Sequence, residues 1–284
     1  MRRGESAVYR FHAGPRPLVL RLTADTHRTR AQIEAELDFV AFVAARGVSA
    51  ALPVPSAAGA LVERAGGGRG GGDALHAVAF EQLPGRHFAY RSPDVGRPLF
   101  ARWGRAMAAL HEASRAYRPP PGRRRHAWHE DAVMRCAVDG LPPDETAARR
   151  EHERVHGWLA SRPAEPPHFG LIHGDFERTN FLLDGDRLHV LDFDDACYHW
   201  YLADVAHALW AFRGAEPDER RRFLDWLAEG YGAGPAAPLD PEAVSWFVRM
   251  RSLALFAHHA RSPGGADPAW AARMRAGFEQ PVRW

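Results

Sequence analysis

Residues 169–196 read FGLIHGDFERTNFLLDGDRLHVLDFDDA. An apolar run, Phe169–Ile172, leads into His173-Gly174-Asp175, and Asn180 follows on the same loop. Two short β-like segments flank the turn Asp184-Gly185-Asp186, and the second closes on Leu191-Asp192-Phe193-Asp194-Asp195. A carboxylate and an amide therefore share one loop, and a further carboxylate lies just past a hairpin. Each acidic group follows an apolar strand-like run, which places it at a strand end. Phosphoryl transfer from a nucleotide needs such a set. One carboxylate orients or deprotonates the attacking hydroxyl, and an amide oxygen with a second carboxylate holds Mg²⁺ against the phosphates.

With 284 residues the chain can bury one large core or two modest ones. Its apolar fraction of 46% and nine Trp make it globular. A formal charge of +2 gives no reason to expect a nucleic-acid or membrane partner. All 37 basic residues are Arg. Codon usage in a GC-rich genome accounts for this, yet the chemical consequence stands: Schiff-base chemistry, pyridoxal phosphate attachment and the Walker A loop all need Lys. Cys136 and Cys197 could pair, but they form neither a disulfide framework nor a zinc site, so a reducing, cytoplasmic setting is expected. The N-terminal MRRGESAVYRF lacks the apolar core of a signal peptide, and no window reaches the length of a transmembrane helix.

Upstream of the opening stretch, residues 5–12 and 17–23 read as a strand pair around Gly14. A helix is predicted over 26–46, with Ile33, Leu37, Val40 and Ala44 at helical spacing and Gly47 as its C-cap. Pro53 and Pro55 suggest a surface crossing, and 60–64 and 76–83 a second strand pair. After Leu83-Pro84-Gly85 helices take over, predicted at 98–115, 128–138, 144–161, 201–212, 218–231, 241–259 and 268–278, with a basic-ended loop at 118–125. This order suggests a β-rich segment, 1–83, followed by a helical one, 84–284.

Two rival motifs fit poorly. Gly66, Gly68 and Gly71 spell GxGxxG, but a strand-like segment follows where a dinucleotide site needs a helix N-terminus. His152-Glu153-Arg154-Val155-His156 matches the HExxH of zinc hydrolases, but the surrounding helix is heavily charged, as a solvated face is.

His173-Gly174-Asp175 through Asn180 resembles the HGDxxxxN catalytic loop of the aminoglycoside phosphotransferase/choline kinase family, and Leu191–Asp195 resembles its metal-binding motif. The resemblance covers nearly the whole chain. It implies an α+β, protein-kinase-like bilobal fold: a small β-rich N-lobe with one helix and a larger, mostly helical C-lobe. It implies that Asp175 accepts the proton of the substrate hydroxyl, that Asn180 and Asp192 ligate Mg²⁺, and that His173 and Asp204 support the catalytic loop. Arg21 stands where kinases carry a phosphate-contacting Lys, with Glu36 rather than Glu34 as its partner. Gly4-Glu5-Ser6 resembles the turn over the phosphates, and Phe80–Gly85 the hinge, where adenine meets backbone groups near Glu81 and Leu83. The family's first strand is expected to be missing or to lie upstream of Met1. Glu177 is an unusual acid near the transferring phosphate, placed either to repel it or to grip a cationic substrate.

The expected activity is ATP-dependent transfer of the γ-phosphate to a hydroxyl of a small molecule, such as an aminoglycoside, homoserine or a choline-like amine. Asp195, Tyr198, His199, Trp200 and Tyr201 are candidate substrate contacts because they follow the metal motif; Trp246, Arg249 and His258 are further ones. Packing or solvated surface is the alternative for each. An Arg-rich helical segment does not suggest a polycation site. A protein Ser/Thr kinase and a non-catalytic nucleotide-binding scaffold are the other functional readings.

Overall fold

Short runs rich in β-branched, aromatic and leucine residues flank Gly14-Pro15, and they pair as a hairpin. β1 (Ala7–Ala13) and β2 (Arg16–Ala24) form an antiparallel hairpin with Ala7 opposite Leu22 and Ala13 opposite Arg16. In this computed structural model the described residues are 6–66, 74–89, 92, 94–130, 141–261, 265–281 and 283–284. The two ends of that hairpin meet at Gly14, whose φ of 61° is costly for any residue with a Cβ.

α1 (Arg30–Ala44) starts at a capping box. Thr29 Oγ1 accepts from the Gln32 amide, and the Gln32 side chain accepts from the Thr29 amide. This cap, rather than residue 26, sets the helix start. Ile33 and Leu37 pack with Val62 and Val78 under the sheet. β3 (Pro53–Val54), β4 (Glu63–Ala65) and β5 (Leu75–Glu81) complete a five-stranded sheet of order β1-β2-β5-β3, with β4 also pairing to β5. The expected surface crossing at Pro53 is therefore a strand. Proline is tolerated there because β3 lies at the sheet edge.

The chain divides into two compact units. The first comprises Met1–Phe88, Ala116–Arg125 and Thr179–Asp194. The second comprises Ala89–Arg115, His126–Arg178 and Asp195–Trp284. The expected segments, by contrast, met at a single boundary after Leu83. The first unit takes in β7 (Phe181–Asp184) and β8 (Arg187–Val190) because backbone pairs tie this hairpin to it: Arg86 to Leu183 and Ala50 to Val190.

In the second unit, α2 (Arg97–Arg115) packs on α5 (Pro217–Tyr231), where Gly104 and Gly230 let the two backbones approach closely. α3 (Thr146–Ala160), α6 (Pro241–Arg261) and α7 (Pro268–Glu279) share a core that includes Ala148, Leu253, Phe256, Met274 and Phe278. β6 (Phe169–Ile172) pairs antiparallel with β9 (Cys197–Trp200), and α4 (Leu202–Trp210) follows directly. The helix expected at 128–138 begins as a 3₁₀ turn, Trp128–Glu130; its remainder, with Cys136, lies outside the described residues. So do Gly4, Glu5 and most of the glycine run.

Candidate active site

In the first unit, β2 turns Arg21 inward, to 5% exposure, toward the face of α1 that also buries Ile33, Leu37 and Val40. Arg21 meets Glu36 with both ends of its fork: Nη1 donates to Oε1 at 2.8 Å and Nη2 to Oε2 at 2.6 Å. Glu34 instead pairs with Arg30 on the exposed side of the helix, at 2.8 Å. Burial alone would lower the pKa of Arg21; the Glu36 carboxylate reverses that and holds the guanidinium firmly charged. The same Nη1 reaches Asp192 Oδ1 at 3.3 Å.

Asp192 has φ = 55°, the single left-handed non-glycine residue among those described. Its side chain is 52% exposed. The Leu191 amide donates to the Asn180 carbonyl at 2.8 Å, which ties the start of the Asp192 turn to the backbone of Asn180. Asp194, two residues on, is held differently. His27 Nε2 lies 2.8 Å and Arg28 Nε 3.2 Å from its Oδ2, and Arg125 donates to its carbonyl. Burial pushes the Asp194 carboxyl up, but the hydrogen bond from His27 and the charges of Arg28 and Arg21 outweigh it and keep the group well below the usual carboxylate range. Ser6 Oγ bonds Thr23 Oγ1 at 2.7 Å. The Glu81 amide is taken by the Leu52 carbonyl at 2.9 Å and its carboxylate by Arg16 at 2.6 Å, while Leu83 is half-buried.

In the second unit, Asp204 in the first turn of α4 is fully buried and organises the loop after β6. Its Oδ2 accepts from the His173 amide at 2.9 Å and its Oδ1 from the Gly174 amide at 2.9 Å. His111 Nε2 donates to Oδ2 at 3.0 Å while its Nδ1 meets the Tyr231 hydroxyl at 2.8 Å. Burial raises the Asp204 carboxyl, but the His111 hydrogen bond and neighbouring histidines bring it down to about 2. Gly174 has φ = 85°, and a Cβ there would strike the Asp195 carbonyl, so no other residue fits between His173 and Asp175. The His173 ring is buried, stacks on Phe176 at 5.1 Å and accepts from the Asp175 amide at 3.3 Å.

Asp175 Oδ1 receives Arg251 Nη2 at 2.5 Å. Burial pushes the Asp175 carboxyl up, and the Arg251 guanidinium more than offsets this, so it stays ionised below the usual range. Of the residues following the metal motif, Asp195 is exposed and Tyr198 half-buried. His199 and Trp200 are buried in an aromatic cluster with Trp128 and Phe247, and Tyr201 lies under Gly170. Arg249 pairs bidentately with Glu151, and Trp246 stacks on Trp158. The HExxH rings, His152 and His156, lie 5.3 Å apart, and no group of three or more His, Cys, Asp or Glu suited to a metal occurs among the described residues.

His27, Arg28, Arg125, His111 and Arg251 were not singled out from the sequence. Each acts on a motif residue distant in the chain, and none sits in a local pattern of its own. Only the basic end of the 118–125 loop hinted at a role, since it contains Arg125.

The phosphotransferase enzyme family matches residues 2–241. The chain belongs to this family. With the family comes the activity class: the protein is an ATP-dependent phosphotransferase that acts on an alcohol group of a small molecule. The phosphotransferase is 27% identical over 262 residues to the amicoumacin kinase of Bacillus subtilis strain 168, covering 89% of this chain and 76% of that one. Among solved structures, an amicoumacin kinase, hAmiN, in complex with AMP-PNP and Ca²⁺ superposes with a TM-score of 0.86 at 23% identity, covering 100% of this chain and 88% of that one. A microcompartment-associated aminopropanol kinase superposes with a TM-score of 0.76 at 24% identity, covering 97% and 86%. These likenesses show the protein-kinase-like fold expected from the sequence.

Proposed function

We propose that this phosphotransferase uses Asp175 as the base for the acceptor hydroxyl, Arg21 and Ser6 at the phosphates of ATP, and Asn180 and Asp192 as ligands of Mg²⁺. The observation that carries the reading is Arg21: buried, clasped by Glu36 and reaching Asp192. A cation fixed in this way, beside a carboxylate on a left-handed turn, is what a kinase needs to place phosphates and metal together. Asn180 and the exposed Asp192 carboxylate are hard oxygen donors, which suits Mg²⁺. When bound, the ion neutralises charge on the transferring phosphoryl group. His173 and Asp204 hold the loop of Asp175, and the backbone near Glu81 and Leu83 receives the adenine. The amicoumacin kinase solved with AMP-PNP and Ca²⁺ supports a nucleotide and a divalent ion. The acceptor is a small hydroxylated molecule, met by Asp195 and Tyr198.

The test is direct. Mg²⁺ with ATP is expected to raise the melting temperature, and EDTA to abolish both that rise and ADP release across a panel of hydroxylated metabolites and antibiotics. No stabilisation by any Mg-nucleotide would sink the reading. Glu36→Gln probes the carrying observation. It leaves Arg21 as a buried cation with one charged partner fewer, and breaking such a pair costs about 3–5 kcal/mol. Arg21 is then expected to shift its bonding to Asp192, so the Mg²⁺ concentration for half-maximal activity rises about tenfold, against an unchanged acceptor KM. Metal titrations of wild type and variant check this.

A further inference from the structure

We propose that Arg251 is a positioning residue for the phosphoryl-transfer base, clamping the Asp175 carboxylate in the orientation that receives the acceptor hydroxyl. The inference rests on the reading of Asp175 as that base. Arg251 comes from α6, which the chain reaches only after the whole opening stretch has been laid down. The clamp is built rather than incidental. Two residues earlier on α6, Arg249 locks the helix to α3 through two bonds to the fully buried Glu151, at 2.6 and 2.8 Å. One residue later, Ser252 Oγ receives Trp210 Nε1 at 2.9 Å. The Trp210 ring then lies 5.9 Å from the Arg251 guanidinium. The Arg251 side chain is 14% exposed, and its Nε is buried without a partner, so the guanidinium is spent on Asp175 and not on solvent.

The groups that bear on the charge of Asp175 include Arg251 from α6, His207 from α4 and His173 from its own loop. Burial holds His207 at about 3, so it is neutral at physiological pH. Arg251 is therefore the one permanent cation among them. Without it, a desolvated carboxylate would hold its proton to higher pH. A carboxylate free to rotate would also lose the alignment with the acceptor that in-line transfer demands. The rival interpretation makes Arg251 a plug that the acceptor must displace, and it predicts the opposite kinetic sign.

The experiment compares Arg251→Met, Arg251→Lys and Asp175→Asn in the full chain. Arg251→Met is expected to lower kcat about 10–100-fold, the scale of a misplaced catalytic group, with acceptor KM changed less than about threefold. The acid limb of kcat/KM is expected to move upward by about one pH unit or more, and Arg251→Lys to restore its position while recovering part of kcat. The Asp175 carboxyl, followed by carbon NMR in the unliganded protein, is expected to shift in the same direction. If Arg251→Met does not fold, Arg251→Gln carries the same comparison. An unmoved carboxyl titration, or a kcat that stays or rises in the variant, overturns the clamp. Full activity in Asp175→Asn overturns it too, by removing the base assignment; loss in Asp175→Asn with Arg251→Met unaffected overturns the clamp alone.

Discussion

Asp175→Asn is expected to lower kcat by about 10³-fold or more while leaving the melting-temperature rise with Mg²⁺ and ATP in place. Asn has nearly the same shape but no basic oxygen, so it can neither take the hydroxyl proton nor carry the charge that aligns the acceptor. Loss of a general base alone is worth about 10²–10⁴-fold, and loss of alignment adds to it. Arg21, Glu36 and Asp192, the residues proposed for the nucleotide and metal, are joined through the Arg21 guanidinium, and the substitution leaves that set intact, so nucleotide binding is expected to be spared. The amide would also point a donor or a neutral oxygen at Arg251, which is left without its charged partner. A modest fall in stability therefore accompanies the kinetic loss. Steady-state kinetics with a nucleotide thermal-shift control distinguishes the two effects. A variant that retains a tenth of wild-type kcat would remove Asp175 from the chemistry. In the wild type, the lowered carboxyl pKa keeps Asp175 ionised from neutral pH down through the ordinary carboxylate range near ~3.9, so no acid limb from this group is expected between about pH 5 and 8.

Asp204→Ala is expected to lose about 3–5 kcal/mol of stability, measured as a lower urea midpoint at unchanged slope. One fully buried carboxylate accepts from two backbone amides and from His111. Removing it leaves three buried donors unanswered, and each costs about 1–3 kcal/mol before relaxation. Asp204→Asn, which keeps two acceptor lone pairs but no charge, is expected to lose about half as much. The pH dependence carries its own sign. The folded carboxyl lies at about 2, below the unfolded value near ~3.9, so its stabilisation is present above about pH 4 and lost as the pH falls through 2. His199 and His207 act earlier. Burial first, and neighbouring charge second, hold both near 3, against about 6.5 unfolded. The unfolded chain binds more protons between those values, so stability is full above about pH 6.5 and drains as the pH falls toward 3. Acid unfolding is expected to begin with these histidines. A urea midpoint that does not move between pH 7 and pH 5 would contradict their burial as neutral rings.

Much of this was legible in the chain. Asp175, Asn180 and Asp192 fall within one short stretch because a tight loop and a hairpin position them through local geometry, and local geometry is written in adjacent residues. The choice of Glu36 over Glu34 was legible for the same kind of reason: helical spacing puts Glu36 with the residues that face the sheet. The bounds of α1 were blurred because Thr29 caps the helix through a side chain whose partner, Gln32, also suits a helix interior. Pro53 misled because proline forbids a central strand but not an edge one. The substrate candidates after the metal motif were only half decided. Adjacency to Asp192 could not tell Asp195, which is exposed, from His199 and Trp200, which the pairing of β9 with β6 turns into a core.

The amino-acid sequence by itself determined the family and the class of reaction, and it named the groups proposed to carry it, because those depend on residue types at short, ordered spacings. The tertiary structure alone decided how those groups are charged and held. Arg251 is 76 residues from Asp175 in the chain, His111 is 93 from Asp204, and His27 is 167 from Asp194. Coulomb attraction and desolvation depend on distance in space and on burial, and neither is defined until the helices have packed.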